Sequence, residues 1–180
     1  MTKLIFAALT ALSLTAFSAE TTAPAAATAP AGPTDPQIAG IVVTANQVDI
    51  EAGNAAVKKS KSAEVKKFAK QMITDHTAVN KSASDLVKKL KVTPEDSDTS
   101  KSLKQGGVDN LAALKDLKGK DFDKAYVDHE VAYHEQVLDA IDKTLIPSAK
   151  NEELKALIVK VRPAFAAHLE HAKHIQSTLK

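Results

Sequence analysis

The chain has 180 residues, 44% hydrophobic and 26% charged, with six glycines and seven prolines. That is enough for one domain with a sizeable core, and the Ala/Lys/Leu/Val bias favours helices. A net charge of +2, one arginine among 24 basic residues and only 4% aromatics supply little of the bidentate and stacking chemistry that reads bases, which argues against a nucleic-acid partner. The absence of cysteine removes disulfides, thiolate chemistry and lipid attachment at cysteine.

Residues 1–19 have the layout of a cleaved signal peptide: Lys3, an apolar run from Leu4 to Phe17, then the small residues Ser18 and Ala19. The run is too short to span a bilayer, and no other stretch is apolar enough, so no membrane span is expected. The reading is an exported protein, periplasmic or secreted. Residues 20–35, rich in Pro, Ala and Thr without a periodic apolar face, read as a disordered leader. Asp35-Pro36 supplies a helix cap and a proline at the first helical position, which places the bundle domain at 36–180.

Four long segments follow, each with an apolar seam at alternating steps of four and three, the pattern by which a helix packs into a bundle. The first, about 36–59, carries Ile38, Val42, Ala45, Asp49, Ala52 and Ala56. The second, about 62–91, carries Val65, Ala69, Met72, His76, Val79, Ala83, Leu86 and Leu90. A third, near 121–145, places Val127, Val131, His134, Leu138, Ile141 and Leu145. The last, about 152–180, places Leu154, Ile158, Val161, Phe165, His168, Ala172, Ile175 and Leu179. Pro163 inside it removes one backbone hydrogen bond and predicts a kink.

Between the second and third segments, residues 91–107 are rich in turn formers and charge. Leu111, Leu114 and Leu117 then suggest a short amphipathic helix ending near Gly119. A connection of this length carries the chain back along a bundle, as in ferritin-like topologies. The expected fold is therefore all-α, a ferritin-like up-down four-helix bundle with an extra short helix between helices 2 and 3.

Each seam carries one polar residue near mid-helix: Asp49, His76, His134 and His168. If the helices align, the four meet at similar depth, and facing helices are where bundles build metal sites. An unpaired buried polar group costs about 1–3 kcal/mol, so three isolated histidines would be expensive where one shared cluster would not. A transition-metal site is one reading. A metal-free buried histidine layer that fixes helix register in a structural or interaction protein is the other. A small metalloenzyme, needing an open coordination position, is a third.

Asp75, Glu130 and His171 flank the four as candidate neighbours: Asp75 as a partner for a histidine ring N–H or simply a solvated carboxylate, Glu130 one turn before His134 as a flank ligand or an exposed helix glutamate, and His171 displaced from His168 by about 60°. His129 reads as a surface residue, and the lysine runs as a solvated face. No nucleophile elbow, phosphate-binding glycine loop or Cys-x-x-Cys-His is present. The sequence leaves self-association into a homo-oligomer open.

Three stretches, FAKQMITDHTAVN (68–80), FDKAYVDHEVAYHEQVL (122–138) and RPAFAAHLEHAKHI (162–175), resemble in order and spacing the motifs of a bacterial exported domain-of-unknown-function family, the one numbered 4142. The resemblance runs from about Thr34 to Lys180 and implies a ferritin-like helical fold, without an established activity. Its matching positions are Asp75, His76, Asp123, Tyr126, His134, Pro163 and His168, with Asp49 where the family carries a first-helix glutamate. No Glu-x-x-His occurs in the chain, so ferroxidase chemistry does not carry over. Mostly imidazole donors with one carboxylate suit Zn, Cu or Ni better than Fe or Mn.

Overall fold

The computed structural model describes residues 32–179. The expected signal peptide, and the leader as far as residue 31, lie outside the described residues. Helix α1 spans Asp35–Lys59, α2 Ala63–Leu90, α3 Asp98–Leu114 and α4 Gly119–Ala140. A π-helical turn at Ile141–Leu145 and a short α5, Ile146–Ser148, lead to α6, Glu152–Thr178. None of these helices is long and apolar enough to cross a membrane.

The caps explain where the helices start. Thr34, not Asp35, caps α1: its hydroxyl accepts from the Gln37 amide while the Gln37 side chain accepts from the Thr34 amide, a reciprocal capping box. Asp35, free of that task, accepts from the amides of Lys150 at 2.8 Å and Asn151 at 2.9 Å, tying the start of α1 to the start of α6. Asn151 in turn caps α6 through the amides of Glu153 and Leu154.

Helix direction follows from the two apolar clusters. Ile38, at the start of α1, packs in one cluster with Ile141, Leu145 and Leu154. Ala56, near its end, packs in the other with Val65, Phe122 and Ile175. Helices α1 and α6 therefore run one way and α2 and α4 the other. α3 ends at Leu114 in the second cluster, so it returns the chain along the bundle, the long connection of a ferritin-like topology.

That connection is the main departure from the sequence expectation. The stretch 98–107 is helix, not turn, and α3 runs 17 residues straight through Gly106 and Gly107. Ser97 and Ser100 cap each other's backbone amides, which starts the helix early. A Cβ on Gly107 would come within 2.9 Å of the Val48 side chain, so this glycine is what lets α3 lie against α1. At the other proline-marked site, α6 passes through Pro163 as one continuous helix.

Candidate metal centre

The two apolar clusters leave a layer between them, and the four seam residues fall in it. Asp49, His76, His134 and His168 are 1%, 1%, 0% and 2% exposed, with Asn46 and Glu130 beside them at 1% each. The ring centres of His76, His134 and His168 form a near-equilateral triangle with sides of 5.7, 5.3 and 5.5 Å. Phe165 covers one side, its ring edge-on to His76 at 4.9 Å.

Each imidazole is held by one nitrogen and turned inward by the other. Asn46 donates its amide N–H to the Val42 carbonyl at 2.7 Å, which fixes the amide so that its oxygen accepts from His76 Nδ1 at 2.6 Å. His134 Nδ1 donates to the Glu130 carbonyl oxygen at 3.0 Å. His168 Nε2 donates to the Asp75 carboxylate at 2.9 Å. These bonds set the tautomers and leave His76 Nε2, His134 Nε2 and His168 Nδ1 as lone-pair atoms.

All three of those nitrogens are buried without a hydrogen bond, as are both oxygens of Asp49. Asp49 Oδ2 lies 3.0 Å from His76 Nε2 and 3.5 Å from His134 Nε2. One ring nitrogen from each histidine lies within 4.8 Å of the other two, and Asp49, Glu130 and His134 form a second group on the same criterion. Three ring nitrogens and a carboxylate thus face one another in the layer.

Electrostatics keep the layer in a ligating state. Burial raises the Asp49 carboxyl, while the positive charge that His76, His134 and His168 carry when protonated, with a hydrogen bond from His76, brings the group below its ordinary value. Burial lowers His134 to about 4 and lowers His168, so both are neutral at pH 7. Burial, reinforced by the Asp49 charge, raises Glu130 well above its ordinary value. Burial also raises the phenol of Tyr126, which faces the same two acids. One carboxylate beside the neutral imidazoles of His134 and His168 suits a cation.

The flank residues separate on inspection. Asp75 holds His168, as expected of a histidine partner, and Glu130 is fully buried beside His134. His171 does not join the layer: its ring packs edge-on to Phe68 at 5.2 Å, outside both groups. His129 is half-buried rather than on the surface, stacked on Tyr133 at 5.5 Å with its Nδ1 enclosed. Asn46 was not expected. It lies three residues before Asp49, on the same face of α1, and that spacing was the signal available.

The family model described as "Domain of unknown function (DUF4142)" matches residues 19–175. The chain belongs to this family. All residues of the DUF4142 chain's buried layer lie inside that span. No curated protein matches it. A solved structure titled "CopM in the Cu(II)-bound form" is similar, with a TM-score of 0.65 at 16% identity, covering 83% of this chain and 99% of that one. That likeness shows a shared helical-bundle fold.

Proposed function

We propose that this chain is an exported metal-binding bundle in which His76, His134, His168 and Asp49 hold one late first-row divalent ion. The observation that carries this reading is the split of each imidazole: one nitrogen hydrogen-bonded outward, the other buried, bare and aimed among its counterparts. Metal-ligating histidines are oriented by this kind of outer hydrogen bond.

The size of the triangle supports a single ion. A point equidistant from three ring centres spaced this way lies about 3.2 Å from each, close to a metal–imidazole bond of about 2.0–2.1 Å plus roughly 1.1 Å from nitrogen to ring centre. Without a metal, Asp49 still has His76 Nε2 at 3.0 Å, but the inward ring nitrogens of His134 and His168 need another partner, and each left unpaired costs about 1–3 kcal/mol.

Imidazole with one carboxylate favours Cu(II), Zn or Ni over Fe or Mn. Copper is the first ion to test, because the similar bundle carries Cu(II) by its title. With all four ligands almost fully enclosed, the centre suits holding an ion more than turning over a substrate. The fitting role is metal binding or metal-stress protection in the periplasm or outside the cell. Elemental analysis after loading with Cu(II), Zn and Ni tests the reading. One ion per chain, lost in a His134→Ala/His168→Ala double variant, is expected; substoichiometric metal, or full retention by that variant, overturns it.

A further inference from the structure

Beside the histidine layer, on the side of the α1 N-terminus, lies a chamber of about 340 Å³. Its walls are buried apolar side chains from four elements, among them Ile41, Ile158 and Phe165, while Asp98, Thr99 and Ser102 of α3 stand at its rim. We propose that this chamber is a binding site for a small, uncharged, mainly apolar organic molecule carrying a hydroxyl group. The proposal is independent of whether the histidine layer holds a metal.

Three observations carry it. The volume falls within the roughly 300–1,000 Å³ of small-molecule pockets. The backbone is specialised at this place: the π-helical turn Ile141–Leu145 replaces regular helix, and its two end residues both line the chamber. Single π turns of this kind mark functional sites more often than chance, and Pro147, which has no N–H to offer Lys143, fits the local change of pitch.

The third observation is the chemistry of the lining, which selects the occupant. Among the described residues no lysine, arginine or histidine lines the chamber, and the one charged residue that does is the acid Asp98. An anionic occupant such as a fatty acid would meet no cation and one carboxylate, so it is disfavoured. The hydroxyls of Thr99 and Ser102 and the amide of Gln136 offer donors and acceptors to a single polar group, with the apolar remainder directed inward toward Phe165.

The test uses 4-butylphenol as the probe and 4-butylbenzoate as its anionic counterpart, each titrated into the purified protein by calorimetry and ligand-observed NMR. Saturable one-to-one binding of the phenol, at least tenfold tighter than the benzoate, is expected. Ala140→Phe should fill the chamber and weaken phenol binding at least tenfold, and Gln136→Leu should weaken it several-fold while helicity and cooperative unfolding are kept. If Ala140→Phe misfolds, Gln136→Leu alone decides the matter. Absence of saturable binding, equal binding of the benzoate, or undiminished binding in the folded variants overturns the proposal.

Discussion

The buried contact between Asn46 and His76 orients the His76 imidazole within the layer. The Val42 carbonyl fixes the asparagine amide, the amide oxygen accepts a hydrogen bond from His76 Nδ1–H at 2.6 Å, and Nε2 is thereby turned onto Asp49. Asn46→Leu should leave α1 helical but release the His76 ring. Metal affinity is expected to fall about 10–100-fold, and the metal-free protein to lose about 1–3 kcal/mol for the lost buried bond. Competition titration against a chelator and chemical denaturation measure the two separately.

Asp75 should behave differently, because it holds His168 from a position 40% exposed. Asp75→Ala is expected to cost metal affinity by about 10–100-fold while changing the stability of the metal-free protein by less than about 1 kcal/mol. Equal losses in affinity and stability would mean that Asp75 is structural.

The pH dependence of the metal-free protein has a defined sign. His134 protonates at about 4 when folded against 6.5 free, so between those values the unfolded chain binds the proton and the folded chain does not. Stability should therefore fall as pH drops from 6.5 to 4, by up to about 1.4 kcal/mol per unit for this group. His168 acts in the same direction. The Asp49 contribution, depressed from 3.8, is present above that value and is lost as pH falls below it. Denaturation midpoints across this range, in chelator, give the measurement.

Glu130 has the opposite sign: its raised value favours the folded state at low pH and costs stability as pH rises. Glu130→Gln, which keeps the shape and removes the ionisation, should raise the melting temperature at pH 8 more than at pH 5. A variant equally stabilised or destabilised at both would show that Glu130 does not titrate in this way.

Much of this arrangement was legible in the sequence, for a physical reason. Alternating four-three spacing over nineteen residues or more admits one way of burying a helix, so the four seams, and Asp49, His76, His134 and His168 within them, could be placed in one layer from the sequence. Partners from outside the seams were harder to read. Asn46 stands beside the seam residue Ala45, and its buried amide meets His76 of α2. His129 looked like surface from its angle to His134, but Tyr133 covers it. α3 was hidden because glycine pairs and charge signal a turn locally, whereas here Gly107 serves close packing on Val48.

That contrast gives a matched pair of substitutions. Gly106 has nothing within 4 Å of an added Cβ, so Gly106→Ala should stabilise by about 0.5–1 kcal/mol through helix propensity alone. Gly107→Ala must displace Val48 and should destabilise by about 1–3 kcal/mol. Thermal unfolding of both distinguishes them, and neither should alter metal stoichiometry.

The central claim is that three imidazoles and one carboxylate share an ion. X-ray absorption at the copper edge of the Cu(II)-loaded protein measures this most directly. The account expects three imidazole nitrogens and one oxygen at about 2.0–2.1 Å, with the imidazole scattering lost in a His76→Ala/His134→Ala/His168→Ala variant. A spectrum with fewer than three imidazoles, or one unchanged in that variant, would contradict it.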